Sequence, residues 1–134
     1  MRHDIATQAS TASAVARRHA RICAVVHGIP PGSVASYGDV ASIAGMPGRA
    51  RLVGRVLRDA PADAALPWHR VLTANGRLAF AQHSPSFVEQ SERLAAEGVR
   101  VERGRVDMKR YRWRPDLDEM LWKPSSGWDN RGGD

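Results

Sequence analysis

Residues 36–58, SYGDVASIAGMPGRARLVGRVLR, decide the fold because they combine a helix start, a short turn and an amphipathic helix. Ser36 followed three residues later by Asp39 has the spacing of a capping box, which predicts a helix from Ser36 through Ala44. Glycine and proline in residues 45–48 predict a turn. Two helices joined by a tight turn are typical of a helix-turn-helix.

The second of these helices, predicted from Arg49 to Arg58, has one apolar and one basic face. At about 100 degrees of rotation per residue, its outward arginines fall within about 60 degrees of arc. These arginines are Arg51, Arg55 and Arg58, and the opposite arc holds Ala50, Leu52, Val53, Val56 and Leu57. An ordinary amphipathic helix with solvated arginines explains this pattern equally well. Residues 45–58 contain no Asp or Glu, however, and this absence favours a DNA-binding helix.

Composition limits the possible classes of protein. The chain has 134 residues, 43% of them hydrophobic, which suits one globular domain. Its formal net charge is +6, and arginine, which suits phosphates and base edges, supplies nearly all of the positive charge. A basic balance alone is weak evidence for nucleic-acid binding, so the placement of the arginines carries the argument.

The only cysteine, Cys23, cannot form an internal disulfide and has no partners at zinc spacing, so we expect no metal and no other cofactor. Two interpretations of Cys23 remain, a small buried residue or a reactive thiol. No apolar run approaches the roughly 20 residues of a membrane span. The first residues lack the apolar core of a signal peptide, which predicts a cytoplasmic protein, nucleoid-associated if the source is bacterial.

The remaining pattern predicts a mostly α protein with small β hairpins, arranged as a winged helix-turn-helix. We expect a disordered leader at residues 1–10, a domain at residues 11–123 and a disordered tail at residues 124–134. The first helix is expected to begin at Ala14 and end at Gly28. Its predicted buried stripe consists of Val15, Ile22, Val25 and Val26.

Three further elements are predicted after the helix-turn-helix. Residues 70–78 read as a hairpin about an Asn-Gly turn. A capping box at Ser86 and Glu89 predicts a helix that ends at Gly98, with Phe87, Leu94 and Ala95 in the core. Residues 99–102 and 106–113 alternate in polarity and predict a closing hairpin.

The segment Leu66-Pro67-Trp68-His69-Arg70-Val71 resembles the Pro-Cys-His-Arg-Val active-site motif of the O6-alkylguanine-DNA alkyltransferases, with Trp68 in place of the cysteine. The match runs without a gap from Ile29 to Val71 and continues more loosely to Gly98. Residues 117–124 are similar to the C-terminal ending of alkyltransferase-like proteins. The resemblance implies an alkyltransferase C-terminal-domain-like fold.

In that family the helix-turn-helix enters the minor groove and the target nucleotide is rotated into a pocket. The resemblance implies that Arg51 takes the place of the rotated base and that Arg58 contacts phosphate. The positions implied to bind DNA are Ser36, Tyr37, Ala50, Arg51, Leu52, Gly54, Arg55 and Arg58. Those implied to form the lesion pocket are Tyr37, Leu57, Pro67, Trp68 and Val71.

Two of these aromatic residues have a purely structural alternative. In this alternative, Tyr37 is a partly buried ring at the start of its helix, and Trp68 fills the space left by a lost active site. His69 and Glu97 match the relay that activates the cysteine. An indole offers no nucleophile for that relay to activate, so we assign both residues a structural role.

The resemblance therefore implies a non-enzymatic, monomeric protein without a catalytic residue. Its expected partners are duplex DNA containing O6-alkylguanine, which it binds by nucleotide flipping, and nucleotide excision repair proteins, with no membrane. One alternative is an alkyltransferase with another acceptor, for which Cys23 is the sole thiol. The other is a generic winged-helix DNA-binding protein without lesion selectivity.

Overall fold

The structure is a computed structural model that describes the backbone of residues 2–115 and the side chains of residues 12–115. Its longer helices are α1 (Arg2–Gly28), α2 (Tyr37–Ile43), α3 (Ala50–Asp59) and α4 (Pro85–Ala96), and a short helix α5 spans Met108–Tyr111. Single turns of 3-10 helix lie at Ala62–Ala64 and Trp68–Arg70. The predicted tail at residues 124–134 and the matching segment at residues 117–124 lie outside the described residues.

Four short strands form two small sheets. β1 (Ala35–Ser36) pairs in parallel with β2 (Val71–Leu72), and β3 (Val101–Glu102) pairs antiparallel with β4 (Arg105–Val106). The β1–β2 pair joins the start of α2 to the end of the Trp68–Arg70 turn. These two parts of the candidate site are therefore held together by backbone hydrogen bonds.

The helix-turn-helix is confirmed. The Ser36 side chain accepts a hydrogen bond from the Asp39 amide at 2.9 Å, and the Asp39 carboxylate accepts one from the Ser36 amide at 3.1 Å. These reciprocal bonds satisfy amides that the first turn of α2 leaves free. Arg112 also donates to the Asp39 carboxylate at 2.9 Å, which ties the start of α2 to the chain beyond α5.

Two apolar clusters form the core. The first lies between α1, α2, α3 and the β1–β2 pair, and contains Ile22, Val26, Ile29, Ala35, Val40, Ala41, Ala44, Met46, Leu52, Val53, Val56, Leu66 and Val71. The second lies between α4 and the β3–β4 hairpin, and contains Val34, Leu72, Leu78, Leu94, Val99 and Val106. The adjacent pairs Val34-Ala35 and Val71-Leu72 are divided between the clusters because successive residues of a strand point to opposite sides.

The first helix differs from its prediction. It begins at Arg2 and not at Ala14, and the chain before Gly28 contains no glycine or proline that would end the helix. Val15, predicted to be buried, is 38% exposed, since this turn of α1 extends past the core. The backbone of residues 2–10 is helical, whereas a disordered leader was predicted there, and the domain boundary at residue 10 stays a prediction.

The predicted hairpin at residues 70–78 is wrong as a strand pair. Thr73 and Arg77 close the Asn-Gly turn through a 3.0 Å backbone bond, but β2 pairs with β1 and not with the chain after the turn. Arg77 instead forms a bridge with Arg105 of β4. The wing of the fold is consequently built from chain segments that are distant in sequence.

Two later elements are also corrected. The helix α4 is capped by Ser84 and not by Ser86, since the Ser84 side chain accepts from the Phe87 amide at 3.2 Å and Pro85 suits the first helical position. Leu94 is buried as predicted, whereas Ala95 is exposed. A closing hairpin forms, but the second strand predicted at residues 106–113 is wrong, because β4 ends at Val106 and α5 follows.

Candidate nucleic-acid interface

The basic face of α3 is exposed, as its periodicity predicted. The side chains of Arg51, Arg55 and Arg58 face solvent, while Val53 and Val56 pack in the core. Among the described residues, none of these three arginines forms an ion pair. Their charge is therefore available to a polyanion.

A cavity of about 620 Å³ opens beside this face, a volume within the usual range for small-molecule sites. Its wall contains most of the residues that the resemblance assigned to DNA or to the lesion. The lining residues are Tyr37, Ala50, Arg51, Gly54, Arg55, Leu57, Arg58, Trp68, Ala79 and Phe80. We call this space the α3 cavity.

Gly54 keeps the α3 cavity open at its narrow side. A Cβ atom at this position would lie 3.9 Å from the Tyr37 ring, which is ordinary van der Waals contact. A larger side chain would press on the ring and reduce the volume of the α3 cavity, which Gly54 and Tyr37 both line. Burial raises the pKa of the Tyr37 hydroxyl, with the Arg58 charge opposing this shift, so Tyr37 is a neutral hydrogen-bonding group at neutral pH.

A second cavity of about 860 Å³ lies on the other side of Trp68, and we call it the rear cavity. Its lining includes Pro67 and Arg93, and it shares three residues with the α3 cavity. The shared residues are Leu57, Trp68 and Phe80. Trp68 therefore borders both cavities.

The Trp68 ring is held by contacts on several sides. The Phe80 ring meets it edge to face, with centroids 5.8 Å apart and an interplanar angle of 87°. The Arg93 guanidinium lies 5.6 Å from the ring centroid, within cation–π range, and is itself paired with Glu89 at 2.7 Å. The indole is therefore fixed in position while remaining partly exposed to the cavities.

Three predicted site residues are placed elsewhere by the structure. Val71, predicted as a pocket wall, is fully buried in the first core cluster because its strand pairs with β1. Leu52, predicted among the DNA-binding positions, is 8% exposed and faces the core side of α3. Ser36 is 3% exposed and its hydroxyl caps α2, so its contribution is to position Tyr37.

His69 and Glu97 do meet, as the resemblance implied. The His69 Nε2 and Glu97 Oε2 atoms are 2.8 Å apart, and Arg70 donates to both oxygens of the same carboxylate at 3.0 and 2.6 Å. The Arg70 hydrogen bonds are the main cause that lowers the pKa of Glu97 to about 2. Arg70 also donates to the Ile29 carbonyl at 2.9 Å, which links this network to the end of α1.

His69 is neutral at physiological pH. Its pKa is lowered mainly by burial, which outweighs the nearby Glu97 carboxylate. If Nε2–H donates to Glu97, the buried Nδ1 atom, which has no partner among the described residues, carries no proton. Protonation of Nδ1 would leave a buried N–H without an acceptor, so the geometry also favours the neutral imidazole.

Cys23 does not belong to the site. It is half-buried on α1, does not line either cavity, and burial raises the pKa of its thiol. A raised pKa reduces the thiolate fraction that could act as a nucleophile. Among the described residues, no cluster of His, Cys, Asp and Glu is placed to hold a metal ion, and no helix is long and apolar enough to cross a membrane.

Sequence reasoning missed four residues that shape the site. Phe80 lies in a segment for which the sequence predicts no element, and no local pattern indicates its contact with Trp68. Arg93 was not singled out, although it lies four residues after Glu89. Arg70 was quoted only within the motif. Gln90 is buried and donates to the carbonyls of His69 and Val71 at 3.0 and 3.2 Å, which no local pattern indicates.

Comparison with known proteins yields one family. The model of the 6-O-methylguanine DNA methyltransferase DNA-binding domain matches residues 17–99. A protein of Escherichia coli K12 named DNA base-flipping protein is 45% identical over 94 residues, covering 69% of this chain and 71% of the relative. Alkyltransferase-like protein 1 of Schizosaccharomyces pombe is 34% identical over 96 residues, covering 72% and 85%.

Solved structures give the same result. The crystal structure of S. pombe Atl1 in complex with damaged DNA containing O6-carboxymethylguanine matches with a TM-score of 0.67 and 30% identity, covering 73% of this chain and 95% of that one. Mycobacterium tuberculosis OGT in complex with DNA matches with a TM-score of 0.51 and 30% identity, covering 60% and 48%. The fold described above, mostly α with small sheets, is thus the fold of these proteins.

Proposed function

This chain belongs to the 6-O-methylguanine DNA methyltransferase family through its DNA-binding domain, and from that membership we propose that it recognises O6-alkylguanine in duplex DNA without repairing it. In the proposed complex the alkylated nucleotide is rotated out of the helix into the α3 cavity. The names and complexes of the relatives support DNA binding with base flipping. The absence of alkyl transfer is inferred from the site itself.

The observation that carries the proposal is the position of Trp68. The resemblance puts it at the position of the family's cysteine, and the ring lines both cavities beside the arginine face of α3. Its indole N–H is only a donor, and no atom of the ring has the lone pair of a thiolate. The same ring offers a broad apolar surface to a base, and stacking of one base on an aromatic side chain is worth about 1–3 kcal/mol.

Nucleotide rotation needs compensation, because flipping a base costs a few kcal/mol. In the proposed complex Arg51 enters the gap left in the base stack, where a planar cation stacks and donates hydrogen bonds. Arg55 and Arg58 contact phosphates beside it. Tyr37, on the opposite wall of the α3 cavity, presses on the rotated nucleotide and presents its neutral hydroxyl to the guanine edge.

The rear cavity gives the proposal a place for the alkyl group. In the proposed complex, a guanine in the α3 cavity points its O6 substituent past Trp68 toward the rear cavity. Leu57 and Phe80 line both the α3 cavity and the rear cavity. Small and large substituents can then share one binding mode, because the base stacks on the same ring in each case.

The network of His69, Arg70 and Glu97 has a structural role in this proposal. It joins the Trp68–Arg70 turn to α4 and α1, and with Gln90 it fixes the backbone on either side of Arg70. His69 has no thiol to activate at residue 68. The alternative acceptor, Cys23, is not in contact with either cavity.

A protein that leaves the lesion intact needs a partner that removes it. We therefore propose that the bound, distorted DNA is passed to nucleotide excision repair proteins in the compartment that holds the DNA, and that the protein acts as a monomer. In a reconstituted excision reaction, adding this protein should raise incision of an O6-alkylguanine duplex. Unchanged incision at saturating protein argues against this hand-off and leaves lesion binding intact.

One experiment separates the candidate functions. The protein is incubated with a duplex containing O6-methylguanine or with the unmodified duplex, and complex formation, intact protein mass and the modified base are all measured. Preference for the lesion, unchanged mass and recovered O6-methylguanine are the expected results. A mass gain of one alkyl group shows an alkyltransferase, and equal affinity for the two duplexes shows a DNA-binding protein without lesion selectivity.

A further inference from the structure

The net positive charge of this chain is confined to one segment. Residues 5–58 contain seven arginines and a single acidic residue, Asp39, so this segment carries the whole formal net charge of +6. The rest of the chain is balanced, with 13 basic and 13 acidic residues. The Asp39 carboxylate accepts a hydrogen bond from the Ser36 amide and pairs with Arg112, which lies outside residues 5–58. No other carboxylate in this segment could pair with the seven arginines.

Only part of this charge belongs to the α3 face. Arg17 and Arg21 lie on α1, one helical turn apart and both exposed, and residues four apart share a helix face. None of the described side chains of α1 before Ile22 is buried, so this part of the helix runs beside the core and not through it. Its arginines are presented on an open surface.

Arg21 connects this surface to the helix-turn-helix. Its Nη1 atom lies 3.7 Å from the position that a Cβ atom on Gly45 would occupy, so the guanidinium rests against the turn between α2 and α3. The same turn leads into Arg49, an exposed residue that precedes α3. Within residues 12–115, no ion pair involves Arg17, Arg21 or Arg49.

We propose that Arg17, Arg21 and Arg49 form a second phosphate-contacting surface, which binds the backbone of the same duplex beyond the base pairs covered by α3. The proposal rests on the proposed function, because it assumes that α3 lies against duplex DNA. The ten residues of α3 are about 15 Å long, roughly four base pairs of duplex. In the proposed complex, Arg17, Arg21 and Arg49, which lie beyond the N-terminal end of α3, contact phosphates outside these four base pairs.

The test is the salt dependence of binding to an unmodified duplex. Each phosphate contact contributes about 0.9 to the slope of log K against log salt concentration. The double variant Arg17→Ala/Arg21→Ala should reduce the magnitude of this slope by about 1.8. The control variant Arg77→Ala/Arg105→Ala removes the same charge near β4 and should leave the slope unchanged. Alanine is the strongest helix former, so α1 is retained, and circular dichroism checks this.

The outcomes distinguish this inference from the proposed function. A double α1 variant with the wild-type slope overturns the second surface even if the protein prefers the lesion. A reduced slope with the lesion preference unchanged supports both. A reduced slope in a protein that does not prefer the lesion supports the second surface and contradicts the proposed function.

Discussion

At the scale of the residue, the site is defined by what each side chain can and cannot do. The Trp68 ring provides an apolar surface for stacking but no nucleophilic atom like that of a thiolate. The neighbouring Phe80 and Arg93 side chains pack against the ring. His69 and Glu97 are in contact, and burial lowers the pKa of His69 while Arg70 lowers that of Glu97, which suits the structural role proposed for both. The chemistry of residue 68 therefore decides between transfer and recognition.

We predict that replacing Arg51 by alanine weakens binding to a lesion duplex by about 1 to 2 kcal/mol, roughly 5- to 30-fold. The reason is that the gap left by a rotated base then has no planar cation to fill it. Equilibrium titration measures the effect, and Arg105→Ala, which removes an exposed arginine outside both cavities, is the matched control. Equal losses in the two variants contradict the role given to Arg51.

The pKa values of the buried network predict how stability depends on pH. The pKa of His69 in the folded protein lies below its ordinary 6.5. As pH drops below about 6.5, the unfolded chain therefore binds a proton more readily than the folded protein does, and the free energy of unfolding falls. Glu97 follows at lower pH, since stability from its ionised form is lost between its ordinary 4.5 and about 2.

Thermal melts between about pH 7 and pH 5 test the His69 part of this prediction. His69→Gln keeps an amide donor for Glu97 but cannot take up a proton, so its melting temperature should fall less over this range than that of the wild type. The four other histidines of the chain are present in both proteins and cancel in the comparison. Parallel curves contradict a neutral, buried His69.

At the scale of the element, α3 has one face packed in the core and one face exposed, and the exposed face is the one proposed to bind DNA. Gly54 lies on the border, where an added Cβ would contact the Tyr37 ring at 3.9 Å. We predict that Gly54→Val fills the α3 cavity and weakens lesion binding at least tenfold, about 1.4 kcal/mol. Thermal melting checks that the variant folds, because valine is a better helix former than glycine but its methyl groups press on the Tyr37 ring.

Gly54→Ala is the matched control for this substitution. Its single methyl group fits at contact distance and favours the helix by about 1 kcal/mol, so binding should stay close to that of the wild type while stability rises. Titration and thermal melting measure both quantities. A valine variant that binds the lesion duplex as tightly as the alanine variant contradicts a nucleotide site in the α3 cavity.

The elements that sequence predicted are those specified by neighbouring residues. The capping box at Ser36, the Gly/Pro turn and the two faces of α3 are local patterns, and all three are confirmed. The pairing of β2 with β1, 36 residues earlier in the chain, depends on how the core closes and cannot be read from either segment. The start of α4 was wrong because Ser86 offered a second plausible cap close to Ser84.

Residues of the family motif are brought together around the two cavities, and their proposed roles stay predictions. The α3 cavity contains Tyr37, Leu57 and Trp68, as the resemblance implied, and the rear cavity contains Pro67. Val71 was wrong because strand pairing turns it into the core. Phe80 and Arg93 reach Trp68 only through the packing of a loop and a helix, and no spacing along the chain encodes that contact.

At the scale of the whole molecule, a basic segment at residues 5–58 meets a neutral remainder that holds Trp68. This division suits a protein in which the basic segment attracts the duplex, while both segments line the cavity proposed for the rotated nucleotide. Salt sensitivity should therefore follow the arginines, while lesion selectivity should follow the cavities. The two properties are separable by substitution.

We predict that the protein blocks repair of O6-methylguanine by a true alkyltransferase in a mixed assay. Occupancy hides the lesion, so the rate of alkyl transfer should fall in proportion to the fraction of lesion duplex bound. The Arg51→Ala variant at the same concentration should inhibit less. An unchanged rate when the wild-type protein saturates the duplex contradicts occupancy of the lesion.

The measurement that tests the central claim most directly is equilibrium binding of wild type and Trp68→Ala to a duplex with one O6-methylguanine and to its unmodified counterpart, at one salt concentration. We predict that the wild type prefers the lesion at least tenfold, about 1.4 kcal/mol. The variant, with its fold checked by thermal melting, should bind both duplexes about as the wild type binds unmodified DNA. Equal affinities in the wild type, or a preference that survives loss of the indole, contradict recognition of the lesion on Trp68.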